Sequence, residues 1–422
     1  MSNNTNKSTI AGENAGTGAV KTYTLKEKIK SVGPGLLVVG SFIGPGTVTS
    51  ATRAGAGYGY ALLWTVVFSV IAVIVMQEMA ARLGIVTQNG LAEELVKELS
   101  DRPAMKWFMI VLVAGAIGFG GIAYMGGDLV GTSVGISALT GIPTNIIAPI
   151  WGCCVLVLIN IGDAIKSLEK LLTVCVSIMA AVFVITMIVV KPDMGELFQG
   201  VVPRVPSGSI MTCVALIGTT VVPYNMFIHA TSAHKTWKSP DMLPLSRFDI
   251  NVSMIIGGVI TGAIMITAGT VMRGMAVNSA VDMSVQLEPL LGSMAKPFMS
   301  IGLIAAGISS AVITPLGVSY VFAGLFGWGM TKKDKRFFWV NTAVVVFGII
   351  VAATGFNPLT IIMMAQALNG VFLPIIVAAL IFITSRSRVM GQYKNSMVRN
   401  ILGLCVFGIS LVIGVSSVLS LF

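Results

Sequence analysis

The chain has 422 residues, of which 55% are apolar or aromatic and only 10% are charged, and its mean hydropathy is +0.90. Soluble domains carry about 25% charged residues, so 27 Lys plus Arg and 17 Asp plus Glu are too few to cover a soluble surface of this length. Composition therefore argues against a soluble enzyme, a nucleic-acid binder, a disordered chain and a disulfide scaffold. The five cysteines (Cys153, Cys154, Cys175, Cys213 and Cys405) lie in apolar runs without Cys-x-x-Cys spacing. They read as small hydrophobes, not as ligands or bridges.

Residues 1–30 are polar and basic and lack an apolar stretch followed by a cleavage site. They read as a disordered tail ending in a short basic helix, Leu25–Lys30, and not as a signal peptide. A bilayer crossing needs about 20 apolar residues. Eleven candidates follow, at roughly 33–56, 59–81, 107–139, 146–162, 168–190, 209–233, 250–272, 298–328, 337–353, 358–384 and 400–421. No soluble domain fits between them. With the N-terminus inside, 22 of the 27 Lys and Arg fall on the inner side. Only Arg53, Lys191, Arg204, Arg273 and Lys296 fall outside. This asymmetry predicts a multi-pass plasma-membrane protein with a cytoplasmic N-terminus and an external C-terminus. The net charge of +10 is thus a topology signal and not a nucleic-acid patch.

Two spans are interrupted. The first contains Ser41-Phe42-Ile43-Gly44-Pro45-Gly46-Thr47, and the sixth contains Gly218-Thr219-Thr220-Val221-Val222-Pro223-Tyr224-Asn225. Proline removes a donor and clashes with the preceding turn, and glycine loosens the backbone. Breaks are therefore expected at Pro45, Gly46 and Pro223. Freed backbone groups are not tolerated against lipid, so each break should line a cavity. A single proline kink would carry no site. Breaks in spans 1 and 6 of eleven instead match an inverted five-helix repeat with a substrate site at the midplane. The expected fold is all-α, with residues 31–190 and 207–384 as the two repeats and 399–422 as an eleventh helix.

Intramembrane polar residues add to this reading. Asp128 is the one carboxylate deep in any span, with no Lys or Arg at that depth to pair with it. His229 follows the second break, and Gln366 and Asn369 sit one turn apart in span 10. Glu78 lies near the end of span 2, where Arg82 is within pairing distance along the helix. Each amide has a plain alternative, a hydrogen bond between helices, and Asp128 could be a structural buried group.

At these residues the chain resembles the Nramp divalent-metal transporters. The resemblance covers spans 1 to 10 and rests on Gly33-Pro34-Gly35-Leu36-Leu37, Ala54-Gly55-Ala56-Gly57-Tyr58-Gly59-Tyr60, Ala81-Arg82-Leu83-Gly84, Asp128-Leu129-Val130-Gly131-Thr132 and Pro223-Tyr224-Asn225-Met226-Phe227-Ile228-His229. It implies the leucine-transporter fold, with helices 1 and 6 unwound at a central cation site. The departures fall on that site. The family's Asp-Pro-Gly-Asn is Gly44-Pro45-Gly46-Thr47 here. Its Ala-x-x-Met-Pro-His is Thr219 to Tyr224, with Val222 in the Met place. Asp128 stands where the family has a Glu linked to proton movement, and the family's helix-9 Arg has no counterpart near Trp339. Gln366 keeps the helix-10 Gln.

The resemblance then implies a substrate site of Gly44, Thr47, Thr219, Tyr224, Asn225 and Gln366, with Asp128 and His229 as proton or gating groups. Loss of the thioether removes the preference for softer transition metals. Neutral oxygen donors suit Mg²⁺, which keeps several of its waters, and the family has a related magnesium-transporting branch. The leading reading is a carrier of a divalent cation into the cell, Mg²⁺ before Mn²⁺, without tight proton coupling. A carrier of a small organic solute such as an amino acid, and a non-transporting sensor, are the alternatives. No enzyme, resident cofactor, nucleic-acid partner or obligatory protein partner is expected, and the bilayer and the transported cation are the expected partners.

Overall fold

The computed structural model describes residues 23–159, 164–331 and 333–419. Of the expected tail, residues 1–22 lie outside them. The basic helix α1 (Leu25–Lys30) is present as expected and is closed at its start by a reciprocal cap. The Glu27 N–H donates to the Thr24 hydroxyl at 3.3 Å, and the Thr24 N–H donates to the Glu27 carboxylate at 2.7 Å.

The first span consists of α2 (Pro34–Phe42) and α3 (Pro45–Tyr58), bent by 60°. Then come α4 (Leu63–Thr87), the connector α5 (Leu91–Glu98), α6 (Pro103–Thr140), α7 (Thr144–Leu158), α8 (Ala164–Val189) and a second connector, α9 (Met194–Gly200). The sixth span is α10 (Ile210–Thr220) plus α11 (Pro223–Thr236), followed by α12 (Leu243–Val271). After the short helices α13 (Ala280–Ser284) and α14 (Glu288–Leu291) run α15 (Ala295–Phe326), α16 (Lys335–Ala352), α17 (Pro358–Thr384), the short α18 (Ser387–Met390) and α19 (Met397–Leu419).

Nine helical stretches among the described residues are long and apolar enough to cross a bilayer, and the bent α2–α3 pair makes ten. The eleventh, α7, is shorter than expected: its helix covers Thr144–Leu158, and residues 160–163 of the expected span lie outside the described residues.

Both breaks are present, displaced by a residue or two from the expected positions. The non-helical residues are Ile43 and Gly44 in the first, and Val221 and Val222 in the second. Pro45 and Pro223 instead occupy the first helical position of α3 and α11, and Gly46 follows within α3. The cause is local. Proline's fixed φ suits the first turn, where its missing N–H costs nothing, so the chain unwinds before the proline.

Burial sorts the spans into centre and rim. The sixth span is 83% buried over its apolar window, whereas that of α8 is 22% buried and that of α19 is 33% buried. Against the central broken spans lie α6, α15 and α17, with α6 packed on both α15 and α17, while α3 packs on α12 and α11 on α4. Small residues allow this close approach. A Cβ on Gly131 of α6 would stand 2.1 Å from the Pro45 ring, so α6 lies directly on the first turn of α3.

Candidate functional site

Each break leaves a carbonyl without an intrahelical donor. Among the described residues no backbone N–H reaches the carbonyls of Ile43 or Val221. The carbonyl ending α2, Phe42 O, accepts from the Gly44 N–H at 2.9 Å and also from the Thr47 hydroxyl on the first turn of α3. With that proton committed, Thr47 Oγ1 accepts from Thr219 Oγ1 at 2.9 Å. A hydroxyl offers one donor and two acceptor positions. Thr47 therefore joins the two broken spans and keeps a lone pair.

The third wall is α17. A Cβ on Gly46 would stand 2.1 Å from Gln366 Nε2, and one on Gly218 would stand 2.0 Å from the Gln366 carbonyl. Gln366 thus rests on both broken spans. It is buried, yet neither side-chain atom has a hydrogen-bond partner among the described residues. The same holds for both amide atoms of buried Asn225, in the first turn of α11. A buried amide with nothing to bond is costly, and polar groups in that state mark a place for water or an ion.

The fourth wall is α6. Asp128 is buried and its Oδ2 accepts from Ser310 Oγ at 2.8 Å and Thr314 Oγ1 at 3.0 Å, both on α15. Its other oxygen, Oδ1, faces the first break and lies 3.9 Å from the place of a Cβ on Gly44. Because Thr314 gives its proton to Asp128, Tyr224 is the donor in the 3.2 Å contact between Tyr224 Oη and Thr314 Oγ1. Tyr124, one turn before Asp128, meets the Tyr224 ring edge-on with centroids 5.9 Å apart. The result is a polar chain from α11 through α15 to a carboxylate at the break in the first span.

The expected residues therefore divide. Gly44, Thr47, Thr219, Gln366, Tyr224 and Asp128 are joined directly or through one neighbour. His229 lies elsewhere. Its Nδ1 donates to Gln77 Oε1 on α4 at 2.6 Å, and Nε2 has no partner among the described residues. The partners of Asp128 are the hydroxyls of Ser310 and Thr314 and not His229. Asn369 points toward α6, with Oδ1 2.9 Å from the place of a Cβ on Gly120. Glu78 pairs with Arg82 at 3.2 Å as the spacing suggests. Sequence reasoning missed Ser310, Thr314 and Asp249. Asp249, near the start of α12, accepts the N–H groups of Gly33 at 2.9 Å and Gly35 at 2.6 Å, anchoring the start of α2. Ser310 and Thr314 carry one readable signal, their four-residue spacing on an apolar helix.

No group of three or more His, Cys, Asp or Glu side chains that could hold a metal occurs among the described residues. The oxygens gathered here come from one carboxylate, hydroxyls, amides and free carbonyls. Such a set offers hard donors to a cation that keeps part of its water.

Residues 35–420 match the family profile described as natural resistance-associated macrophage protein-like, or Nramp. The divalent metal cation transporter MntH of Mycobacterium tuberculosis H37Rv is 25% identical over 398 residues, covering 91% of this chain and 90% of the relative. That of Aeromonas hydrophila is 26% identical over 409 residues, 93% of this chain and 96% of the relative. A crystal structure of the Eremococcus coleocola manganese transporter superposes with a TM-score of 0.77 at 21% identity, covering 94% of this chain and 87% of that one. MhsT in complex with L-phenylalanine gives 0.58 at 17% identity, with 93% and 98% covered. At these identities the structural likeness bears on the fold, and it is the expected one: all-α, leucine-transporter type. The relatives are named as transporters, not enzymes.

Proposed function

The chain belongs to the Nramp family, and from that premise we propose that it carries a divalent cation across the plasma membrane into the cell, with Mg²⁺ preferred over Mn²⁺. The observation that carries the reading is the pair of buried amides, Asn225 and Gln366, that have no partner among the described residues and sit at the two broken spans. An ion arriving with water in its shell supplies both donors and acceptors to such groups.

Selectivity follows from the donor chemistry. Val222 is buried at the second break where the family's thioether stands, so nothing soft is offered there. The carboxylate usual at the first break is absent at Gly44, and Asp128 presents Oδ1 to the same place from α6. A single charge with neutral oxygens suits a partly hydrated Mg²⁺ better than a stripped transition metal. The placement of Lys and Arg supports α1 and α5 on the cytoplasmic side, with the C-terminus outside.

The test is uptake by purified protein in liposomes, with Mg²⁺, Mn²⁺, Ca²⁺ and amino acids in parallel arms. Mg²⁺ uptake that saturates and is lost in Asp128→Asn is the expected result. Tight Cd²⁺ binding with Cd²⁺ transport would exclude the oxygen-only site, and amino-acid uptake alone would replace the cation by an organic solute.

A further inference from the structure

On the side of the array that carries α1 and α5, one carboxylate holds three guanidinium groups. Glu78 Oε2 lies 3.2 Å from Arg82 Nε, and Glu78 Oε1 lies 3.1 Å from Arg247 Nε and 3.5 Å from Arg399 Nη2. The three arginines come from α4, α12 and α19. One negative charge among three positive ones leaves a local excess of two. The nearby acids do not relieve it, because Glu98 and Asp101 face Arg386 and Arg388.

The arginines differ in what they still offer. Arg82 is buried and its remaining groups are used: Nη1 donates to Tyr393 O, and Nη2 donates to Asn395 Oδ1 at 2.6 Å. Arg247 and Arg399 have side chains 42% and 33% exposed, and among the described residues Glu78 is the one side chain with which they form an ion pair. Each presents further N–H groups outward. Arg399 also sits where α19 turns apolar and outward-facing, with Met397 80%, Val398 65% and Ile401 50% exposed. Arg399 thus stands at the start of a helix long and apolar enough to cross a membrane.

Beside this cluster lies α1, which packs on α12. Asp249, two residues beyond Arg247, bonds the backbone only three residues past the end of α1. Leu25 and Ile29, four residues apart on α1, are 65% and 59% exposed. Lys26, Lys28 and Lys30 supply the charge of the same short helix. An exposed apolar pair with adjacent lysines is the composition of a segment lying in a headgroup layer.

We propose that Arg247 and Arg399 bind the phosphate of an anionic phospholipid at this surface, with α1 lying in the same headgroup layer. A phosphate monoanion offsets half of the excess of two charges, and the two outward guanidinium forks match its oxygens in a bidentate manner. The acyl chains would lie along the exposed apolar face of α19. Basic clusters bordering a membrane helix bind such headgroups by this electrostatic attraction. The site is separate from the helix breaks and does not depend on which solute is carried.

The experiment is thermal unfolding of the purified full chain in detergent with added phosphatidylglycerol, phosphatidylcholine or inorganic phosphate, together with native mass spectrometry of retained lipid. Phosphatidylglycerol should raise the melting temperature and stay bound, and phosphatidylcholine should do neither. Arg247→Gln with Arg399→Gln should make phosphatidylglycerol retention roughly tenfold weaker and remove the shift. Should that double variant fold poorly, Arg247→Lys with Arg399→Lys keeps the charge while removing the fork, and the proposal requires partial retention. Arg386→Gln with Arg388→Gln should leave lipid retention unchanged. An equal shift in wild type and double variant would overturn the proposal. So would an equal shift from inorganic phosphate alone, which would make this a site for soluble anions.

Discussion

The Thr47 and Thr219 hydroxyls stand 2.9 Å apart, one from each broken span. Thr47 also donates to the last carbonyl of α2, so one short side chain closes the first break and ties it to the second. Thr47→Val keeps the shape and removes both bonds. The Phe42 carbonyl keeps its bond from the Gly44 N–H, so the loss is that of two hydroxyl bonds, about 1 kcal/mol each. We predict a lower melting temperature of that order, and cation uptake reduced by more than the loss of folded protein accounts for. Uptake per folded molecule, normalised by chromatographic monodispersity, checks it.

Gln366 makes the opposite prediction. Neither of its amide atoms has a partner among the described residues, so no bond within the fold depends on their polarity. Gln366→Met preserves the length that fills the space over Gly46. Stability without cation should be unchanged or higher, because an unsatisfied buried polar group costs about 1–3 kcal/mol. Affinity for the transported cation should fall about tenfold, which is roughly 1.4 kcal/mol. Thermal unfolding with and without Mg²⁺ separates the two effects, and a structural amide would instead show a loss in the absence of cation.

Much of this site was legible in the sequence, for stated physical reasons. Apolar runs and Pro–Gly pairs locate the two interrupted spans, and Asp128 and Gln366 announce themselves because polar groups at that depth are costly. What was not legible depends on packing. Ser310 and Thr314 are ordinary hydroxyls in an apolar span, and only the approach of α15 to α6 makes them the ligands of Asp128. Asp249 falls at the edge of its span, where a carboxylate is unremarkable until Gly33 and Gly35 point at it. His229 stood near the break along the chain, but helical rotation turns it toward Gln77 on α4. The one- to two-residue error in the breaks came from reading proline as the break itself, when it starts the next helix.

A gain of function tests the donor chemistry. Gly44→Asp, Thr47→Asn and Val222→Met together place a carboxylate, an amide and a thioether at the breaks. The new carboxylate begins from a Cβ only 3.9 Å from Asp128 Oδ1. Two carboxylates so close repel each other when no cation lies between them, so the variant should be less stable in chelator and recover on adding metal. Cd²⁺ and Mn²⁺ affinity should rise about tenfold or more, with Mg²⁺ affinity little changed. Isothermal titration in detergent reads all three ions. Cadmium binding already tight in the wild type would contradict the reading.

Coupling to protons is the last prediction. A coupled carrier needs a titratable group whose charge responds to the ion. Here the first break offers Gly44 in place of a carboxylate. His229 is held by Gln77 away from the breaks. That leaves Asp128, whose Oδ2 already accepts two hydroxyl protons from Ser310 and Thr314. Those hydroxyls fix Asp128 beside the break, and the Arg that the family carries on helix 9 has no counterpart near Trp339 to take a proton onward. We therefore predict uptake without stoichiometric proton entry, driven by the gradient and the membrane potential. The potential contributes about 2.3 kcal/mol per charge per 100 mV, hence about 4.6 kcal/mol for a dication at 100 mV, enough for roughly a thousandfold accumulation. The measurement is internal pH in liposomes during Mg²⁺ uptake under an inside-negative potential. Uptake should grow with the potential while internal pH stays level, and Asp128→Asn should lose uptake. Internal acidification in fixed proportion to the ion, abolished by Asp128→Asn, would instead identify Asp128 as a proton carrier.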